Sequence, residues 1–366
     1  YISIRLLTMK YILILTALLT STAFAAPDFD KIMAAAKQGD AVAQFKLGNM
    51  YDFGLGVLTS DFEAVYWYRK AADQDNPTAQ FYLGNMYSYG HGVPENYTEA
   101  VRWYRKAADQ GEASAQYRLG AMYASGDGVT KNKSTAVFWY RIAADNGDSS
   151  AQYNLGLHYD SDEAPPISNI DATNWYRKAA DQGHVLAQFN LGRSYDNGYG
   201  VPENHNLAVS WYRKAADQDD VKAQFNLALM YAAGKGVAKD EVEAARWFRK
   251  AANQGDPEAQ YNLALRHELG KGVHRDSAQA VRWYRKAAIQ GLAEAQHNLA
   301  YNYVIDGVLP KDYVKAYVWF TMAKILGNVA AMKNLDILKL DMTNSQIEQA
   351  QMQAKICHES GYKDCD

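Results

Sequence analysis

Tryptophan recurs in this chain at a strict interval of 36 residues. The eight tryptophans, which are all that the 366-residue chain contains, stand at positions 67, 103, 139, 175, 211, 247, 283 and 319. The dipeptide Ala-Gln keeps the same interval, from residues 43–44 to residues 295–296. No insertion or deletion interrupts either series. A fixed period of this length indicates a tandem array of one supersecondary unit.

Each unit reads as two helices. In the first unit, Ala43, Leu47, Gly48 and Tyr51 fall on one stripe of a helix that is predicted to run from about residue 41 to residue 53. Good N-capping residues precede the first helices at Asp40, Asn76, Asp148, Asp220 and Asp256. A G-x-G-V turn ends most of them, because glycine adopts the left-handed conformation at low cost. The column of Gly48 holds only glycine or alanine, which predicts close approach of a neighbouring helix.

The second helix of each unit contains the octamer WYRKAADQ, which occurs four times without change. It is predicted to begin after a column of N-capping residues: Ser60, Asn96, Asn132, Ser168, Asn204, Asp240, Asp276 and Asp312. Tryptophan and tyrosine are expected to fill the seams between units. Arg69 and Asp73 have the spacing of an i,i+4 surface ion pair, so the basic doublet is interpreted mainly as a solvated face.

A helix pair of this size cannot bury its own apolar stripe, so the units are expected to stack into an all-α solenoid. The predicted parts are an N-terminal half-repeat at 26–39, eight repeats over 40–327 and C-terminal capping helices at 328–366. The eight repeats are predicted at 40–75, 76–111, 112–147, 148–183, 184–219, 220–255, 256–291 and 292–327.

Residues 1–25 have the features of a secretory signal peptide. Lys10 precedes an apolar run, and Ala23 and Ala25 form an A-x-A cleavage pattern, so the mature chain is expected to begin at Ala26. Met9 is interpreted as the true start, with residues 1–8 as a mis-assigned extension. A retained membrane anchor is the alternative, although the apolar run is short for it. The sequence thus predicts a periplasmic or secreted protein with no stable anchor after cleavage.

The net charge and the cysteine content limit the classes of function that are indicated for the chain. The net charge is −3, so a concentrated basic face for nucleic acid is not indicated. The two cysteines, Cys357 and Cys365, lie in the last ten residues. In an oxidising compartment they predict one small disulfide, with two free thiols as the alternative.

The repeated pattern A-x-A-Q-[FY]-N-L-G-x-x-Y, G-x-G-V-P and W-Y-R-K-A-A-x-Q-G resembles the Sel1-like repeat, a relative of the tetratricopeptide repeat. The resemblance covers about residues 28–340. It implies a right-handed superhelix that binds proteins or peptides as an adaptor or scaffold, with a cell-envelope partner among the candidates. A cysteine-rich branch of the family is linked to penicillin-like compounds, but this chain lacks that branch's cysteine pair in every repeat. The fourth unit departs from the pattern, with DSDEAPP at 160–166 where G-x-G-V is expected.

In a solenoid the inner face comes from the first helices, and its variable columns are where specificity is expected. Amide and basic residues dominate two such columns, and a carboxamide can both donate to and accept from a peptide backbone. The alternative is that these asparagines tie adjacent helices together. The predicted peptide-binding residues are Lys46, Asn49, Tyr82, Asn85, Arg118, Asn154, Asn190, Arg193, Asn226, Asn262 and Asn298.

No catalytic or cofactor site is indicated by the sequence. The eight histidines form no H-E-x-x-H and no Cys/His cluster, and the chain has no G-x-S-x-G. Ser360 and Lys363 match the S-x-x-K string of penicillin-interacting enzymes, but their partner motifs are missing. We therefore predict a non-enzymatic protein without metal or cofactor, and an envelope enzyme or β-lactam-interacting protein is the alternative.

Overall fold

The computed structural model describes residues 29–160, 168–305 and 307–365 of the chain. Within these ranges the chain forms 19 α-helices and no β-strand. The first helices of the eight repeats are α2 (Ala41–Phe53), α4 (Pro77–Tyr89), α6 (Ala113–Ser125), α8 (Ser149–Tyr159), α10 (Val185–Asn197), α12 (Val221–Ala233), α14 (Pro257–Leu269) and α16 (Ala293–Val304). The second helices are α3 (Asp61–Ala72), α5 (Tyr97–Asp109), α7 (Lys133–Asp145), α9 (Ser168–Asp181), α11 (His205–Ala216), α13 (Glu241–Asn253), α15 (Ser277–Ala288) and α17 (Tyr313–Ile325). The flanking helices are α1 (Phe29–Lys37), α18 (Val329–Leu340) and α19 (Asn344–Glu359).

The helices form two compact units, the first ending at Ser168 and the second beginning at Asn169. In the first unit each helix from α1 to α7 packs against the helix that follows it in the sequence. In the second unit the same succession runs from α10 to α18, and α19 packs against α17. This serial packing of helix pairs is the predicted α-solenoid. The predicted signal peptide and most of the divergent loop at 160–166 lie outside the described residues.

The helix boundaries follow from the capping residues. All five predicted caps of the first helices accept a hydrogen bond from the backbone N–H three residues on, as Asp40 does from Ala43 at 2.8 Å. His184 caps α10 in the same way through Nδ1, which the sequence did not suggest. The predicted cap Ser168 is instead the first residue of α9. At the C-terminal end, Thr343 and Gln346 form a complete capping box for α19.

The glycine of the first helix makes room for the tyrosine of WYRKAADQ. A Cβ atom at Gly84 would lie 2.6 Å from the ring of Tyr104, and the same overlap occurs between Gly48 and Tyr68. Both tyrosines are fully buried. The close approach of the helices at these two positions therefore depends on the absence of a Cβ atom, and the small column of glycine and alanine predicted such an approach.

The buried glutamine of Ala-Gln bonds its repeat to the repeat before it and to the second helix of its own repeat. Gln80 donates from Nε2 to the carbonyl oxygen of Ala72 at 3.1 Å, which supplies a partner to a carbonyl at the end of α3. Its Oε1 accepts from Gln110 at 2.8 Å. The glutamine that ends WYRKAADQ thus has a structural role that the sequence did not reveal. The same pairing joins Gln74–Gln44, Asn146–Gln116, Gln218–Gln188, Gln254–Gln224 and Gln290–Gln260.

The arginines of the octamer bond within the fold, whereas most of its lysines are exposed as expected of a solvated face. Arg105 donates from Nη2 to the hydroxyl of Tyr123 in the next repeat at 2.6 Å, and Arg69 bonds Tyr87 equivalently. The predicted ion pair between Arg69 and Asp73 is therefore wrong. The guanidinium instead bonds the tyrosine hydroxyl of the next repeat and lies over the ring of that tyrosine. Lysines of the doublet cover tryptophans of their own helix, in the pairs Lys106–Trp103, Lys178–Trp175, Lys214–Trp211, Lys250–Trp247 and Lys286–Trp283.

Candidate functional site

The first helices present one stripe of side chains that is mostly exposed or partly buried. We call this stripe the first-helix face. It consists of the residues at positions 42, 46, 49 and 53 of the first repeat and their counterparts 36 residues apart, which share one side of a helix. All eleven predicted peptide-binding residues belong to it.

The structure places the predicted residues at different depths on this face. Lys46 is exposed, whereas Asn190 is only 7% exposed and offers a partner little surface. The remaining nine are partly buried: Asn49, Tyr82, Asn85, Arg118, Asn154, Arg193, Asn226, Asn262 and Asn298.

Several of these asparagines bond within the fold. Asn49 and Asn85 accept from the hydroxyls of Tyr68 and Tyr104, each at 2.7 Å. Asn154 donates to the carbonyl oxygen of its own helix four residues earlier at 2.9 Å, and Asn262 does the same. The carboxamides therefore do not form one free row, and Asn49 and Asn85 tie adjacent helices together as the alternative predicted.

Aromatic and cationic side chains meet on the first-helix face of repeats 1 to 3. The ring of Tyr82 stacks on Tyr68 at a centroid distance of 5.4 Å and contacts Phe53 edge-on at 6.5 Å. The guanidinium of Arg118 lies 5.8 Å from the ring centroid of Tyr89. Phe53 and Tyr89 are 42% and 40% exposed, so this aromatic cluster reaches the surface.

The sequence analysis missed Phe53 and Tyr89. The signal was available, because both stand four residues after the predicted Asn49 and Asn85 and thus on the same helical side. Tyr82, which contacts Phe53, lies in a partly desolvated setting. Burial raises the pKa of its phenol, and the carboxylates of Asp52 and Glu112 raise it further. Tyr82 thus remains a neutral hydroxyl that can donate or accept a hydrogen bond.

In the second unit the first-helix face carries exposed apolar side chains beside the asparagines. Leu186, Leu229, Leu269 and Tyr301 are between 40% and 57% exposed. The two units therefore offer surfaces of different chemistry, aromatic and cationic in the first and aliphatic and amide-rich in the second.

The C-terminal tail shows how the S-x-x-K string is used. Ser360 donates from Oγ to the carbonyl oxygen of Cys357 at 3.0 Å and accepts from the backbone N–H groups of Lys363 and Asp364. These bonds hold a turn after α19, and a disulfide joins Cys357 to Cys365 across it. The serine hydroxyl is thus engaged with the backbone.

Two features of the described residues bear on other classes of function. In these parts of the chain, no group of three or more His, Cys, Asp or Glu side chains is arranged to hold a metal ion. None of their helices has the length and apolar character needed to cross a bilayer.

Comparison with known proteins identifies the repeat. The Sel1 repeat model matches eight consecutive segments: 41–76, 77–112, 113–148, 149–184, 185–220, 221–256, 257–292 and 293–328. The chain is a Sel1-repeat protein. Each matched segment begins one residue after the repeat boundary predicted from the sequence.

Two solved structures of Sel1-repeat proteins are similar over most of this chain. The protein c5321 is a protective antigen of uropathogenic Escherichia coli with an SLR fold. It is 36% identical, with 91% of this chain and 73% of that chain covered and a TM-score of 0.79. A Sel1 repeat protein from Oxalobacter formigenes is 34% identical, with 88% and 93% covered and a TM-score of 0.61. Among curated proteins, none matches the chain.

Proposed function

We propose that this Sel1-repeat protein is an exported adaptor or scaffold that binds a protein or peptide along its first-helix face, without catalysis. The aromatic cluster of Phe53, Tyr82, Tyr89 and Arg118 is the observation that supports this function most strongly. Aromatic residues and arginine are the side chains enriched at protein interfaces and at their energetic hot spots. Sel1-repeat proteins in general act as protein-interaction scaffolds.

Export is supported by the signal-peptide pattern of residues 1–25. The Escherichia coli relative is a protective antigen, and we extend that likeness to propose that this chain also leaves the cytoplasm. The test is cell fractionation of a C-terminally tagged chain, followed by mass spectrometry of its N-terminus. A mature protein that begins at Ala26 in the periplasm or medium is expected. A full-length chain in the cytoplasm would contradict the proposal.

Binding is tested by affinity capture from envelope extract with Phe53→Ser combined with Tyr89→Ser. Both side chains are exposed, so the melting temperature should change little while the captured partner is lost. The matched control is Phe62→Ser combined with Tyr66→Ser on α3, where the side chains are 79% and 51% exposed. Equal capture by the first pair, or loss only in the control pair, would place the binding surface elsewhere.

A further inference from the structure

A column of buried methionines is interrupted by Arg266 in the seventh repeat. Four counterparts of this position hold a methionine that is at most 7% exposed: Met50, Met86, Met122 and Met230. Arg266 is 8% exposed. Removing a guanidinium from water costs free energy unless charges and hydrogen bonds replace the lost solvation. Its presence in a core column therefore calls for a physical reason.

The surroundings of Arg266 satisfy the guanidinium only in part. Nη1 donates to Oε2 of Glu241 at 2.5 Å, and the charged group lies 4.8 Å from the ring centroid of Phe248. Nε is buried without a hydrogen-bond partner. Glu241 also pairs with Lys239 at 3.3 Å, so one carboxylate serves two cations.

Burial and hydrogen bonding act in opposite directions on the pKa of Glu241. Burial acts to raise the pKa of its carboxyl, but the hydrogen bonds from Arg266 and Lys239 outweigh burial, and the net pKa is lowered. Glu241 is therefore held as a carboxylate between two cations.

Arg266 lines an open pocket of about 280 Å³ between repeats 6 and 7. We call it the Arg266 pocket. It is bounded by Ala232, Lys239, Glu241, Asn262, Leu265, Arg266, Leu269 and Lys271. Three of these side chains are cations and one is an anion, so the pocket has an excess of positive charge. Leu265 and Leu269 add an apolar wall, and they belong to the first-helix face.

We propose that the Arg266 pocket binds a carboxylate that stands next to an apolar side chain in a peptide segment of the partner. The carboxylate would accept charge-assisted hydrogen bonds from Arg266 and be further stabilised by Lys239 and Lys271. The apolar side chain would contact Leu265 and Leu269. This inference rests on the proposed peptide-binding function and names the chemistry of one ligand group.

The carboxylate can come from a chain terminus or from an aspartate or glutamate, and three probes distinguish the sources. They are fluorescein-labelled Gly-Ser-Gly-Ala-Leu with a free C-terminal carboxylate, the same peptide as the C-terminal amide, and an amidated peptide with glutamate before leucine. Binding to the full mature chain is measured by fluorescence anisotropy at low salt. We expect the free acid or the glutamate peptide to bind at least ten-fold more tightly than the plain amide.

Arg266→Met is the decisive variant, because methionine is the residue that this column holds in four other repeats. It should keep or raise the melting temperature and abolish the preference for the carboxylate. Arg249→Met, which removes an exposed arginine of α13 outside the Arg266 pocket, should leave the preference unchanged.

Glu241→Gln should strengthen the binding of the carboxylate probes, which is the opposite of the effect expected for Arg266→Met. Removing the internal carboxylate frees Arg266 for a ligand, so the carboxylate probes should bind several-fold more tightly. Equal binding of acid and amide peptides, no binding of any probe, or an unaltered preference in Arg266→Met would overturn the assignment. Partner capture that persists in Arg266→Met and fails with the Phe53 and Tyr89 substitutions would leave the proposed function intact.

Discussion

The side chain of Gln110 donates to the side-chain oxygen of Gln80, 30 residues earlier, at 2.8 Å. Gln80 in turn donates to the carbonyl oxygen of Ala72, so one amide is bonded to the second helix of its own repeat and to that of the repeat before. Since contacts between neighbouring units contribute much of the stability of a repeat protein, the bond to Ala72 couples two repeats, and Gln110 helps to position the amide that makes it.

The eighth repeat lacks the hydrogen bond between the two glutamine side chains, and a substitution can supply the missing donor. Leu326 occupies the position equivalent to Gln110, and the buried Oε1 of Gln296 has no hydrogen-bond partner. We expect Leu326→Gln to stabilise the C-terminal repeats by about 0.5–1.5 kcal/mol, the net value of one hydrogen bond. Hydrogen exchange in α16 and α17, together with the melting temperature, measures the gain.

The matched test removes the hydrogen bond between glutamines from a repeat that has it. Gln80→Ala removes the bond to the carbonyl of Ala72 and the bond from the amide of Gln110, and the loss of two hydrogen bonds should cost about 1–3 kcal/mol. Gln296→Ala disrupts fewer bonds and should cost less. If both substitutions cost the same, the pairing of glutamines does not contribute to stability.

Much of the fold was predictable from sequence because the period is exact in length. Once tryptophan repeats every 36 residues, the helix pair, its caps and the serial stacking follow from local chemistry. The pairing of Gln80 with Gln110 was not predictable, because it depends on how the first and second helices of one repeat pack against each other.

Less of the candidate site than of the fold could be predicted from the sequence. The stripe at positions 46 and 49 was located, and the structure adds Phe53 and Tyr89 to it. The use of Asn49 and Asn85 by buried tyrosine hydroxyls depends on side-chain geometry across two helices. The variable columns of the sequence were therefore enough to identify one face of the helix. The hydrogen bonds of each side chain could be found only from the structure.

Alkaline conditions should destabilise the protein through its buried tyrosines. Burial raises the pKa of Tyr140 from 10.0 to about 12. The folded state retains the proton while the unfolded chain begins to lose it near pH 10. The contribution to stability is therefore complete below pH 10 and is lost as the pH rises through 12.

Tyr140→Phe tests this dependence, because Phe248 and Phe320 occupy the same column in other repeats. We expect melting temperatures close to those of the wild type at pH 8 and a smaller loss for the variant between pH 10 and pH 12. Tyr66→Phe, at an exposed residue, is the control and should follow the wild type. Parallel curves for Tyr140→Phe and the wild type would show that this phenol does not titrate at a raised pKa.

Reduction of the disulfide should loosen the C-terminal cap. Cys357 is fully buried in a cluster that includes residues of α17, and the bond closes a loop with a sequence separation of 8. For a loop of this length the loss of the crosslink costs about 2–3 kcal/mol in the chain-entropy model. Hydrogen exchange with and without reductant should show faster exchange in α19 and the tail and little change in α2 to α8. Cys365→Ser should reproduce the effect and be insensitive to reductant.

His267 replaces the tyrosine that other repeats use to bond the arginine of WYRKAADQ. It is 8% exposed, and its Nδ1 is buried without a hydrogen-bond partner. We expect His267→Tyr to gain about 0.5–1.5 kcal/mol at pH 8, because the new hydroxyl can accept from Arg249 as Tyr123 does from Arg105. Chemical denaturation of the full mature chain measures the change.

The gain should be larger at acidic pH. Burial lowers the pKa of His267 below 6.5, and the charge of Arg249 lowers it further, although Asp276 opposes them. A histidine kept neutral in the fold contributes stability above pH 6.5 that is lost as the pH falls through its folded pKa. Tyrosine does not titrate there, so the difference between variant and wild type should be greater at pH 5 than at pH 8. Adding Arg249→Ala to His267→Tyr should remove the gain at pH 8 and keep part of the gain at pH 5. An equal gain at both pH values would show that the imidazole is not held neutral by its surroundings.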